Sequence, residues 1–392
     1  MSANAQDLLR WCEQEQRWIR RTVETLVKLE SPSTDKAAVD RCGQTLAAML
    51  REIGAEVREE PQSERGNHLR ARIAGGPVRV LVLGHFDTVW PTGQLARMPL
   101  KEDGERLYGP GVFDMKSGIA VAMAAVRALR ETGQSDAPTV SMLWTTDEEI
   151  GSGSSRALIE HEARASDAVL VLEPSLPGGA AKTSRKGCGE FELTVRGVSA
   201  HAGVDPSKGA SAVLELAAQI LRVQGLQDLS RGVSVNVGVI SGGSRPNVVP
   251  EEAHATIDVR APTMKDAAII ESSIRALEPA TPRTSIEITG GFGRPPLERG
   301  PHVVKLYETA RRAAADLGHD LQEGGTGGGS DGNFTAALGV PTLDGLGPQG
   351  DGAHALHEHI VVKDLPWRAA FLTALLVRLG RSERGSGSRK VE

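Results

Sequence analysis

The run Pro77–Gly84, PVRVLVLG, constrains the fold more than any other feature of the chain. It is apolar at nearly every position. A strand of that kind has no wet face, so it belongs inside a parallel sheet with helices packed on both sides. The run ends abruptly in His85-Phe86-Asp87-Thr88-Val89, where polar chemistry replaces the apolar pattern.

The flanking segments supply what such a sheet needs. Two helices are expected at the start, over Ala5 to Leu29 and Lys36 to Ile53, with Ser33 or Thr34 capping the second. After the apolar run come a helix over Ser117–Arg130, a strand over Thr139–Thr145, a helix over Ser154–His161 and a strand over Ala168–Leu172. This β–α–β–α–β order predicts a doubly wound α/β domain with a mainly parallel sheet.

The pattern then changes. Glu190–Arg196 (EFELTVR) alternates apolar and polar residues, as a sheet with one wet face does. A helix over Gly209–Val223, alternating runs Val233–Ile240 and Ala253–Val259, a helix over Thr263–Leu277 and a strand over Thr284–Thr289 complete a β-α-β-β-α-β order. That order predicts a ferredoxin-like α+β insert. After Arg294–Pro296 the buried pattern returns with a helix over Val303–Leu317, a strand over Val340–Leu343 and a helix over Leu365–Leu379. The expected domains are therefore 1–186 and 296–380 for the α/β part and 187–295 for the insert. A disordered, Gly/Ser-rich tail is expected over 381–392.

Composition narrows the function classes. The 392 residues carry a formal net charge of -5, which argues against a nucleic-acid surface. No apolar run reaches the ~18–20 residues of a membrane helix. The polar, acidic N-terminus lacks the pattern of a secretion signal. The three cysteines, Cys12, Cys42 and Cys188, are too few and too widely spaced for a disulfide framework or a Cys-based zinc site, so a cytoplasmic protein is expected.

In open α/β sheets ligands bind beyond the carboxyl ends of the strands. Those ends carry His85 and Asp87, then Asp147-Glu148-Glu149, then Glu173, with His354 following the last expected strand. Asp114 lies in the loop before the Ser117 helix. Any one of these alone reads more readily as a loop hydrogen-bonding group. Together, His85, Asp114, Glu149, Glu173 and His354 are a mixed imidazole and carboxylate set. Such a set suits two zinc ions, with cobalt or manganese as substitutes. Acids facing one pocket without cations would repel one another. Asp87 can accept the second imidazole N–H of His85 and fix its orientation.

The segments GHFDTV, GPGVFDMKSG, TTDEEIGS, LEP, SAHAG, NVVP, GGGSD and AHALHE run from Leu81 to Glu358. In that order they resemble the co-catalytic zinc exopeptidase and amidohydrolase family of carboxypeptidase G, aminoacylases, acetylornithine deacetylase and succinyl-diaminopimelate desuccinylase. The similarity to carboxypeptidase G is the greatest. The resemblance implies that Asp114 bridges two metals. His85 and Glu173 complete one site, and Glu149 and His354 the other. It makes Glu148 the general base and, because the family's ligand His precedes its Glu by four residues, selects His354 before Glu358 over His357 and His359, which read as surface loop residues. It further implies that the insert is a lid and dimerisation domain whose His201 reaches a site across a homodimer; the other reading of His201 is a local cap.

For the substrate of an exopeptidase, Arg260 can read a free carboxylate in bidentate fashion. The Gly328-Gly329-Ser330 loop offers backbone N–H groups that can cradle an anion. The resemblance makes Asn247 a substrate contact. Arg260 can instead pair with Asp258. Cys188 reads as a packed or exposed thiol. The implied activity releases glutamate or a similar C-terminal amino acid from a small N-acyl or peptidyl conjugate. An N-acyl-amino-acid deacylase or dipeptidase, a single-metal hydrolase, and a catalytically silent binding protein are the alternatives.

Overall fold

The computed structural model describes residues 4–381. They form two compact units. The first holds the chain up to Thr183, Arg299–Gly325, and Ser330 onward; the second holds Ser184–Glu298 with Thr326–Gly329.

The first unit is built on a six-stranded sheet. Its order is Glu56–Glu60, His68–Ile73, Pro138–Thr145, Gly76–His85, Ala168–Val171 and Thr342–Leu343. The last four strands run parallel to one another, and the first two are antiparallel additions at one edge. The strand Gly76–His85 lies between two parallel neighbours and is fully buried from Val80 to His85. Val80 and Val82 face one core, with helices Ser117–Glu131, Pro301–Asp316 and Asp364–Arg381. Leu81 and Leu83 face the other, with Ile159, Ala163 and Phe334. Successive residues of one strand thus serve opposite faces, which is why the run has no polar alternation.

The second unit is a four-stranded antiparallel sheet in the order Ser234–Gly242, Glu252–Ala261, Gly187–Arg196, Ser285–Arg294. Helices Ala212–Gln224 and Met264–Arg275 pack on it, closing a core of Phe191, Leu193, Val195, Leu216, Ile257, Val259, Ile270 and Ile274. This is the expected β-α-β-β-α-β unit. The alternating burial of Glu252–Ala261 matches the alternating sequence.

Several local expectations are corrected. The first expected helix is two, Ala5–Gln14 and Gln16–Lys28, interrupted at Glu15. Helix Lys36–Glu52 is capped by Asp35, which accepts from Ala38 N at 3.0 Å. Ser33 is not the cap, because its hydroxyl donates to Asp87 Oδ2 at 2.7 Å. The helix expected from Ser154 starts at Arg156, since the Ser154 N–H and hydroxyl both bond the Asp147 carboxylate. Of the expected tail, Arg381 ends the last helix; the rest lies outside the described residues. No helix among the described residues is long and apolar enough to cross a membrane.

Candidate metal centre

The parallel register brings the candidate ligands together. His85 ends its strand opposite Thr145, so the turn carrying Glu148 and Glu149 begins beside it. On its other side Leu83 pairs with Val171, and Glu173 follows two residues later. Asp114 enters from the loop before helix Ser117–Glu131, where Gly118 packs against the Leu172 carbonyl. A Cβ on Gly118 would stand 2.1 Å from that oxygen, so only glycine allows this approach.

Asp114 stands between two His/Glu pairs. Its Oδ1 is 3.2 Å from His85 Nε2, which is itself 3.4 Å from Glu173 Oε1. Its Oδ2 is 3.4 Å from His354 Nε2, which is 3.1 Å from Glu149 Oε2. One carboxylate therefore serves two clusters with one oxygen each. His85, Asp114 and Glu149 offer ligand atoms all within 4.8 Å of one another, a group that could hold a metal ion.

The orienting partner of His85 differs in detail from the expectation. Its Nδ1 is 3.0 Å from the backbone carbonyl of Asp87 and 3.4 Å from the carboxylate Oδ1. The carbonyl is the closer acceptor. The bond to the carbonyl directs Nε2 toward Asp114 and Glu173. The Asp87 Oδ2 receives Ser33 and the Glu149 N–H, tying the two strand ends together.

The electrostatics call for positive charge. Burial works against a charged His85, but Asp114, Asp87 and Glu173 outweigh it and raise its pKa well above the ordinary imidazole range. Asp114 and Glu149 raise His354 to about 10. Burial raises Glu149, with Asp114 adding to the shift. Burial would also raise Asp114, yet its bonds to His354 and His85 hold it below the usual carboxylate range. Glu149 Oε1 is buried with no hydrogen-bond partner. A buried carboxylate oxygen needs a donor or a cation. This donor set fits divalent metal ions.

His354 has φ 61°, in the left-handed region that β-carbon-bearing residues rarely occupy. Of the other two histidines, His357 is exposed. His359 is not a surface loop residue: it is buried, its Nδ1 lies 2.9 Å from the His357 carbonyl, and its ring sits 5.0 Å from that of Tyr108. Sequence reasoning used Glu358 only as a marker for His354. In the structure it is fully buried and accepts from Trp90 and from the Gly111, Phe113 and Asp114 backbone. Its spacing behind His354 was the visible signal; its partners were not.

The second unit carries the remaining candidates. His201 is exposed, and its Nδ1 accepts from the Gly203 and Val204 N–H groups at 3.1 Å each. The neutral ring therefore carries its proton on Nε2. Asn247 is exposed, and its carbonyl accepts from Ala202 N. Arg260 forks onto Asp258 at 2.9 and 2.6 Å and donates to Cys188 Sγ. The Gly328 and Gly329 carbonyls accept from Arg185 at 3.2 and 2.9 Å. In the first unit, Ser330 is fully buried; its hydroxyl donates to Asp344 at 2.6 Å and accepts from Gly332 N, so here it fastens a turn.

Residues 81–378 match the model of peptidase family M20/M25/M40, and the chain belongs to that family. It is 31% identical over 374 residues to Carboxypeptidase G2 of Pseudomonas sp. (strain RS-16), covering 93% of this chain and 90% of that one. Two solved structures share the fold. Aminopeptidase PepT from Bacillus cereus ATCC 10987 has a TM-score of 0.77 at 22% identity, over 93% of this chain and 99% of that one. The Bacillus subtilis YXEP protein, described as a dinuclear metal-binding peptidase, has a TM-score of 0.70 at 16% identity, over 94% and 99%.

Proposed function

We propose that this metal-dependent peptidase or amidohydrolase cleaves the amide bond next to a free C-terminal amino acid. The amino acid released is glutamate or a similar one, from a small N-acyl or peptidyl conjugate. One observation carries the reading: the two oxygens of Asp114 face separate His/Glu pairs. That supports two cations per chain, with zinc favoured by the imidazole and carboxylate donors and cobalt or manganese as substitutes. His85, Glu173 and Asp114 would hold one, and His354, Glu149 and Asp114 the other. Bound there, they would acidify water and polarise the scissile carbonyl.

The chain's own residues supply the remainder. Glu148 precedes Glu149 in the same short turn and takes the water's proton, then delivers it to the departing amine. Asp87 holds His85 in its productive tautomer. His201 presents an Nε2–H suited to a developing oxyanion. Arg260 offers a planar fork for the free carboxylate, in exchange for Asp258. Asn247 and the Gly328-Gly329-Ser330 loop complete the proposed substrate contacts, with Ser330 acting through the turn it fastens.

The preference for an acidic C-terminal residue is what the sequence resemblance to carboxypeptidase G implies. We also propose a homodimer formed through the inserted unit. Strand Ser234–Gly242 is a sheet edge with Val239 and Ile240 exposed, and helix Ala212–Gln224 exposes Leu214 and Leu221. The free cysteines suit a reducing cytoplasm. A panel of N-benzoyl, N-acetyl and folyl amino acids tests the substrate. Release of C-terminal glutamate is expected. Cleavage of neutral-ended substrates alone would favour the deacylase or dipeptidase reading.

A further inference from the structure

We propose that Glu358 is a positioning residue that locks the loop carrying Asp114 to the turn carrying His354, and so sets metal affinity in both halves of the centre. The inference rests on the metal reading above and concerns a residue that binds no metal in it.

The Glu358 carboxylate is fully buried. Four N–H donors converge on it, two per oxygen. Oε1 accepts from Phe113 N at 2.8 Å and Asp114 N at 3.1 Å. Oε2 accepts from Gly111 N at 2.9 Å and Trp90 Nε1 at 2.8 Å. Gly111, at φ 70°, turns the loop so that three of its N–H groups face one acceptor, a backbone concavity of the kind that binds anions. Here the anion is a side chain of the same protein. The Glu358 carbonyl adds a bond from Gly109 N at 3.3 Å.

The same residue is built rigidly onto the His354 turn. Glu358 N donates to Ala355 O at 2.9 Å, and Ala355 N to Gly352 O at 2.8 Å. Gly352 has φ 80°, and a Cβ there would stand 2.9 Å from Glu358 N. The turn therefore closes tightly around His354. Asp114 has the non-helical φ -110° and ψ 96°, so regular helix bonds do not fix its backbone. Glu358 supplies that restraint directly, through the Asp114 N–H.

Glutamine makes the test specific. Whichever oxygen its amide nitrogen replaces, two N–H donors would face another donor. The shape is kept and the acceptor pattern is lost. The full-length protein, stripped with a chelator, is titrated with Zn2+ alone. Glu358→Gln is expected to fold, by circular dichroism, and to bind Zn2+ about 10–100-fold more weakly than wild type. Its kcat should fall by a similar factor with KM within about twofold, since Glu358 touches no substrate.

Wild-type Zn2+ affinity in the folded variant overturns the proposal, as does a raised KM with unchanged kcat. Should Glu358→Gln not fold, Glu358→Asp is titrated instead; it keeps the charge but is one methylene short of its donors. Weakened Zn2+ binding there supports the proposal, and wild-type affinity overturns it. Failure of both variants to fold also overturns it, because the carboxylate then holds the fold rather than the metal cluster. A wild-type chain that takes up no Zn2+ removes the metal reading and this inference together. Zn2+ uptake equal in wild type and variant removes this inference alone.

Discussion

The two units hold their candidate residues in opposite ways. In the first, His85, Asp87 and Glu149 follow the ends of buried strands, Asp114 enters from the loop before helix Ser117–Glu131, and the four contact one another. In the second, His201, Asn247 and Arg260 are exposed or half-buried and are engaged by their own neighbours. The first arrangement is assembled by the fold itself. The second keeps its polar groups satisfied by local bonds. Under the proposed function, preorganisation in one place and exchangeable partners in the other would divide the work between chemistry and recognition.

This division implies different responses to substitution. The largest effect is expected for Glu148→Gln. Turnover should fall about 10²–10⁴-fold while bound metal, measured by elemental analysis, stays at the wild-type level. Normal amide cleavage by that variant would remove Glu148 as the base. Next is the pair His85→Ala and His354→Ala. Each should lower the metal stoichiometry from two toward one, whereas Asp114→Asn should weaken both sites. A wild-type stoichiometry of one would show that the two pairs serve a single ion.

Glu215 probes the second unit without touching recognition. It is fully buried. Burial alone would raise its pKa, but Gln219 and the Ala280 and Thr281 N–H groups hold it at about 2. A folded-state pKa below the unfolded one contributes stability above the unfolded value, near 4.5, and that stability fades as pH falls toward 2. The shift corresponds to about 3 kcal/mol. Glu215→Gln should therefore lower the denaturation midpoint near pH 7, and the gap from wild type should close between pH 4.5 and 2. A gap that does not change with pH would contradict this assignment.

Arg260→Ala is expected to have the smallest effect. Losing a charge-assisted fork should raise KM about 10–100-fold for a substrate with a free carboxylate. A matching amide-capped substrate should be unaffected. Equal loss on both would mean that the Arg260–Asp258 pair is only a strut.

The sheet and the grouping of the candidate ligands were legible because both depend on strong local patterns. PVRVLVLG has one structural solution, and the acids and histidines follow strand ends in order. The strands Glu56–Glu60 and His68–Ile73, the outer two on one side of the sheet, were not legible. EVREE and HLRARI carry charges at positions a buried strand would fill with apolar residues, and only pairing beside Pro138–Thr145 makes them strands. Ser33 looked like a helix cap because Ser commonly is one; its actual partner, Asp87, lies 54 residues away. Glu358 was passed over for the same reason. Its four donors come from residues 90 and 111–114, a distance in sequence that no local pattern spans.

His85 is 1% exposed and His354 is 52% exposed, though both face the same aspartate. The centre therefore has an inside and a doorway. A chelator added to the loaded protein meets the His354 side first, so depletion should proceed in two kinetic phases, the faster one belonging to the doorway. With two cations held as proposed, the shared carboxylate of Asp114 would make the slower phase depend on the first, because loss of one cation would leave the other sole use of that group.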